Sequence, residues 1–124
     1  AAPLRVALAA APVNRNNAHL YHKTTRRAVY EAARASRPDA DDVLLWNEEG
    51  ELTESTIANL VVNLAGKLYT PLVACGLLPG VLREALLQAG ILHERILTPR
   101  DLAEARAVYL INSVRGWMPV QWME

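Results

Sequence analysis

Apolar residues in this chain come in short runs, and each run is broken by Gly, Pro, Asn or charge within a few residues. Residues 4–10 are apolar apart from Arg5 and read as a buried strand. Residues 43–46, 57–64, 108–112 and 117–122 read the same way, and 91–97 look extended. Residues 12–22, with Asn14, Asn16 and Asn17, read as a loop. Segments with helical spacing lie between the strands. A helix capped by Thr24 or Thr25 is predicted to run to about Ser36, with Ala28, Val29, Ala32 and Ala33 inward and Arg26, Arg27, Glu31 and Arg34 outward. Pro79-Gly80 opens a second helix, which carries Val81, Leu82, Ala85, Leu86 and Ala89 at helical spacing and ends at Gly90. Thr98 caps a short third helix, with Pro99 at its first position. Turns are predicted at 38–42, at 47–51 around Gly50, and at Ala65-Gly66, which leads into 67–70. Hairpins mixed with helices predict an α+β fold rather than a regular βαβ series.

The length of 124 residues suits one domain, 1–124, and a 52% hydrophobic composition allows a sizeable core. Thirteen basic residues balance thirteen acidic ones. A neutral chain without a clustered positive field argues against nucleic-acid and membrane-surface partners. No apolar stretch approaches the ~20 residues of a membrane span. The single Cys75 excludes an internal disulfide and fits a reducing, cytoplasmic setting. The chain begins Ala-Ala-Pro-Leu-Arg-Val, without Met or a leader pattern, and enters a strand at once; the expectation is a fragment or a processed chain.

Several positions fit chemistry as well as plain structure. Lysine occurs only at Lys23 and Lys67; the other basic residues are Arg. Lys67 sits in a turn. Lys23, in His22-Lys23-Thr24-Thr25, fits a chance surface lysine and also an amine that must lose its proton, a task Arg cannot do. At Leu78-Pro79-Gly80-Val81-Leu82-Arg83, a glycine before a helix is either a turn alone or an anion site made of unpaired N–H groups. Glu54 lies beside a strand, either solvated or facing a protonated nitrogen. Asn59, inside an apolar run, reads first as a satisfier of backbone groups. Asn112-Ser113 end a strand, as an ordinary turn or as the rim of a pocket. No Cys, His or carboxylate set has metal-ligand spacing, and no serine has a nucleophile-elbow context.

In order, these segments resemble the fold-type IV pyridoxal-phosphate enzymes, the family of branched-chain and D-amino-acid aminotransferases and aminodeoxychorismate lyases. The matching residues are Lys23 in Tyr21-His22-Lys23-Thr24-Thr25-Arg26-Arg27, Glu54 in Leu52-Thr53-Glu54-Ser55 with Asn59-Leu60, Gly80-Val81-Leu82-Arg83, and Asn112-Ser113. The His-Lys-Thr-Thr-Arg-Arg run and Trp117-Met118-Pro119-Val120 most resemble the lyases, in particular those fused to aminodeoxychorismate synthase component I.

The resemblance implies the large C-terminal domain of that fold, a mixed sheet or pseudo-barrel flanked by helices, with the smaller N-terminal domain lacking. It implies pyridoxal 5'-phosphate as cofactor, carried on Lys23, which also shuttles the proton. Glu54 would face the pyridine nitrogen, and Gly80, Val81, Leu82, Asn112 and Ser113 would hold the phosphate end. The implied reaction eliminates pyruvate from 4-amino-4-deoxychorismate to give 4-aminobenzoate. The alternatives are transamination of a branched-chain or D-amino acid, and a non-catalytic binding or assembly domain. A small-molecule substrate, a homodimer and a synthase component on the same polypeptide complete the expected partners.

Overall fold

The computed structural model describes residues 2–16 and 23–123, with side chains from Arg26 onward in the first helix. The chain runs β1 (Leu4–Leu8), α1 (Lys23–Ala35), β2 (Asp42–Trp46), β3 (Leu52–Ser55), β4 (Asn59–Leu64) and β5 (Lys67–Thr70). A 3-10 turn (Val73–Cys75), α2 (Val81–Gln88), β6 (His93–Glu94), α3 (Pro99–Glu104), β7 (Ala107–Asn112) and β8 (Gly116–Trp122) follow. The strands form one sheet in the order β3-β2-β1-β8-β7-β4-β5-β6, and β3 also pairs with β4. That extra pairing closes six strands into a barrel and leaves β5 and β6 as a flap beyond β4. β1 runs parallel to both β2 and β8, whereas β4 and β7 run antiparallel to their neighbours, so the sheet is mixed.

The interior is filled by alternate strand residues, among them Val6, Leu44, Leu52, Leu60, Val62, Leu110 and Met118, with Leu97 and Leu102 plugging one side. The period-two alternation of side chains turns the neighbouring residues outward. On the outer face, Val61 and Ile111 meet Leu82, Leu86 and Leu87 of α2 in a second cluster. The α+β class, the barrel-like sheet and the predicted order of elements agree with this architecture.

Four local expectations are corrected. Thr24 and Thr25 do not cap α1; they lie inside it, because the helix opens at Lys23. The faces of α1 are also different: Arg26 is buried, and Ala28 and Ala32 are exposed. Alanine gains little from burial, so the long Arg26 and Tyr30 side chains set the orientation of the helix through partners on the barrel. In α2, Val81 and Ala85 face outward, and the most buried residue is Arg83. Residues 52–55, read as a polar approach to one long strand, form the separate strand β3. Its polar residues Thr53, Glu54 and Ser55 are all buried where the barrel closes.

Candidate active site

The tight turn between β3 and β4 makes the site possible. The Ser55 hydroxyl accepts the N–H groups of Ile57 (3.1 Å) and Ala58 (2.9 Å), an arrangement that lets a short polar side chain replace missing ladder bonds. The chain reverses so sharply that Glu54 stands opposite Asn59 in the ladder. Both side chains then reach the same loop. Glu54 Oε1 accepts the Leu78 N–H at 3.3 Å. Asn59 donates to the Leu78 carbonyl at 2.8 Å and accepts the Gly80 N–H at 3.0 Å. The loop carrying Gly80 is therefore tied to the barrel at successive points.

Gly80 precedes α2 with extended backbone (φ −69°, ψ 158°), and no side chain caps the helix. The first N–H groups of α2 thus remain available to an anion, favoured by the helix dipole. Close approach, not left-handed geometry, makes glycine necessary here: a Cβ at Gly80 would lie 2.6 Å from Asn59 Oδ1.

Glu54 is 5% exposed and sits against α1. Its Oε2 accepts Arg26 Nη1 at 2.9 Å and the Tyr30 hydroxyl at 2.7 Å. Burial pushes the Glu54 carboxyl up to about 7, against the downward pull of Tyr30, Arg26 and the Leu78 N–H. Burial and the neighbouring Glu54 charge also raise the Tyr30 phenol above its ordinary value. A carboxyl poised near neutrality inside a cleft is a frequent mark of a functional group.

A cavity of about 220 Å³ opens over these groups. Its lining includes Glu54, Ser55, Thr56, Asn59, Gly80, Val81, Leu82, Arg83, Asn112 and Ser113. Every site residue chosen from the sequence is brought here, with one exception. Lys23 opens α1, but its side chain lies outside the described residues. The Asn112 amide is engaged in structure. It donates to the Ile57 carbonyl at 3.1 Å and accepts the N–H groups of Val114 and Arg115, which shapes the β7–β8 turn. Ser113 lies on that turn, exposed at the rim. A larger neighbouring hollow of about 370 Å³, lined by Arg26, Arg27, Tyr30, Glu31, Arg34, Thr56 and Leu78, shares Tyr30, Thr56 and Leu78 with the first. The smaller cavity is the better candidate, because it alone joins the buried carboxyl to a helix N-terminus.

Arg26, Tyr30 and Arg83 were missed as site residues. Arg83 is 1% exposed and lines the cavity from α2, where its Nη2 donates to the Pro71 carbonyl (2.9 Å) and to Glu94 (2.8 Å). Among the described residues, no His, Cys, Asp or Glu cluster could hold a metal ion, and no helix is long and apolar enough to cross a membrane.

Known proteins share this fold and sequence pattern. Residues 1–122 match the family model described as amino-transferase class IV. A proposed aminodeoxychorismate lyase of Schizosaccharomyces pombe is 38% identical over 106 residues, which cover 80% of this chain and 46% of that protein. The crystal structure of a proposed amino-acid aminotransferase of Mesorhizobium loti superposes with a TM-score of 0.89 at 42% identity, covering 98% of this chain and 60% of that one. The 4-amino-4-deoxychorismate lyase of Pseudomonas aeruginosa superposes with a TM-score of 0.83 at 26% identity, covering 98% of this chain and 48% of that one. The chain thus spans less than half the length of the two lyase relatives. Fold, cavity and sequence agree that this chain belongs to the class IV aminotransferase family, the fold-type IV enzymes that depend on pyridoxal phosphate.

Proposed function

We propose that this chain is the cofactor-binding large domain of a lyase that eliminates pyruvate from 4-amino-4-deoxychorismate and leaves 4-aminobenzoate, a precursor of folate. The observation that carries the reading is one cavity lined both by the buried ionisable carboxyl of Glu54 and by the uncapped N-terminus of α2. Those two groups suit pyridoxal phosphate, which offers a basic ring nitrogen to a carboxylate and a phosphate to unpaired N–H groups. The absent side chain at Gly80 keeps the phosphate end open to backbone contact.

When bound, the cofactor supplies an electron-poor ring that draws electrons from the carbon next to a substrate amine. Lys23 would be the residue that carries it and, as a neutral amine, would move the proton of the substrate carbon beside the nitrogen. Glu54 would accept a hydrogen bond from the ring nitrogen and so favour its protonated form. The N–H groups of Val81 and Leu82, with the Ser113 hydroxyl, would hold the phosphate; Leu82 would contribute only its backbone. Gly80 and Asn112 shape that end, through close packing and through the β7–β8 turn. Gain of aromaticity in 4-aminobenzoate favours loss of pyruvate.

The names of the Schizosaccharomyces pombe and Pseudomonas aeruginosa relatives favour the lyase. The Mesorhizobium loti structure favours a second reading, an amino-acid aminotransferase, whose substrate would be a branched-chain or D-amino acid. The additional length of the relatives is assigned to a smaller domain that closes the substrate side. A homodimer and a synthase component on the same polypeptide are the partners this reading expects. The reading places the enzyme in the cytoplasm.

The test is product analysis with the polypeptide that carries this chain. A lyase releases equal amounts of pyruvate and 4-aminobenzoate from aminodeoxychorismate, without an added 2-oxo acid. Turnover that needs a 2-oxo acid and yields no 4-aminobenzoate would establish the aminotransferase.

A further inference from the structure

The two oxygens of Glu54 are unequally used. Oε2 accepts two short hydrogen bonds, from Arg26 and Tyr30, which fill both of its lone pairs. Among the described residues, Oε1 holds the 3.3 Å contact from the Leu78 N–H alone and retains accepting capacity. Arg26 and Tyr30 are one turn apart on α1, and Arg26 Nη1 also donates to the Tyr30 oxygen at 3.1 Å, so the three groups form a closed triangle. Arg26 is 4% exposed. Taking a guanidinium and a carboxylate out of water costs several kcal/mol per ion, so such a pair is kept for more than bulk stability.

We propose that Arg26 and Tyr30 are positioning residues that hold Glu54 as an anion in its buried site, with Oε1 free to accept the cofactor ring N–H. This rests on the reading of the cavity as a pyridoxal-phosphate site. One proton is shared between Glu54 and the ring nitrogen. A cation and a hydroxyl donor behind the carboxylate stabilise its charge, which moves that proton onto the ring. The remaining charged groups nearby sit elsewhere. Arg83, on α2, is engaged with Glu84 and Glu94, and Arg27, Glu31 and Arg34 line the adjacent hollow. Among the described residues of the other elements, only the Leu78 N–H reaches Glu54, and Asn59 beside it is neutral.

The test uses Arg26→Gln and Tyr30→Phe in the polypeptide that carries this chain, with folding checked by circular dichroism. In cofactor-free protein, the Glu54 carboxyl is titrated by carbon-13 NMR, assigned with Glu54→Gln. The midpoint is expected to rise by about 1–3 pH units in Arg26→Gln and by about one unit in Tyr30→Phe. In protein loaded with pyridoxal phosphate labelled with nitrogen-15 in the ring, both variants are expected to shift the ring signal towards the unprotonated nitrogen. Should Arg26→Gln not fold, Tyr30→Phe carries both measurements. An unchanged Glu54 midpoint in a folded variant overturns the proposal, as does an unchanged ring signal in a variant that binds the cofactor. Failure of the wild type to bind cofactor would instead overturn the reading of the cavity, a separate outcome.

Discussion

Asn59 and Gly80 fit each other as side chain and gap: Asn59 Oδ1 accepts the Gly80 N–H at 3.0 Å, and a Cβ on Gly80 would stand 2.6 Å from that same oxygen. Asn59 could yield only by giving up its bonds to Gly80 and to the Leu78 carbonyl. Gly80→Ala is therefore expected to destabilise by about 1–3 kcal/mol, the usual range for overpacking. It should also weaken cofactor binding, because the α2 N-terminus moves. In an Asn59→Ala background the clash is gone, and the added cost should fall below about 0.5 kcal/mol. A double-mutant cycle in urea measures the coupling. Additive costs would show that the strain lies elsewhere.

Glu54 sets a pH dependence with a definite sign. Its folded carboxyl is raised from 4.5 to about 7, chiefly by burial. A raised acid contributes stability that is fully present below about pH 4.5 and is lost as pH rises through about 7. The loss from this group is at most about 3 kcal/mol. Glu54→Gln should flatten the profile across that window. Above about pH 7, where the wild-type carboxylate is charged, it should also lower stability, since Arg26 is left without its anion. Urea unfolding at a series of pH values checks both effects; a Gln variant with the wild-type slope would refute the buried titration.

The same variant tests catalysis. If Glu54 faces the ring nitrogen, Glu54→Gln is expected to lose about 2–4 kcal/mol of transition-state stabilisation, with a much smaller change in cofactor affinity. Wild-type kcat in the Gln variant would reduce Glu54 to a structural acid.

Arg83 is expected to act as the clasp of α2. Arg83→Met should cost about 2–3 kcal/mol, towards the low end for a broken buried pair, because its partners Glu84 and Glu94 are nearly half exposed and regain water. The urea midpoint reports this, and an unchanged midpoint would mean that α2 is held by Leu82, Leu86 and Leu87 alone.

What the sequence disclosed followed from local physics. Strands β2, β4, β7 and β8 are short apolar runs, Ala65-Gly66 turns β4 into β5, and Thr98, Pro99 and Asp101 start α3, where Asp101 Oδ2 accepts the Thr98 N–H at 2.8 Å. What stayed hidden depends on partners far along the chain. Arg26 looks like a surface residue until Glu54, 28 positions away, is folded against it. β3 shows no alternation, because it closes the barrel with polar residues buried on both faces. Arg83 stands among apolar neighbours, and its burial makes sense only once β6 brings Glu94 alongside. The cavity residues were visible as separate segments; their meeting at one mouth comes from the Ser55 turn and the Asn59 bracket.

The central claim is that this cavity takes pyridoxal phosphate with Lys23 as its carrier, and the chain makes the test sharp by having only two lysines. Lys67 is exposed in the hairpin that joins β4 to β5. The cofactor-loaded protein is reduced with borohydride, digested, and mapped by mass spectrometry. The expected result is a phosphopyridoxyl label on the peptide containing Lys23. A label on Lys67, or on neither lysine, would contradict the account.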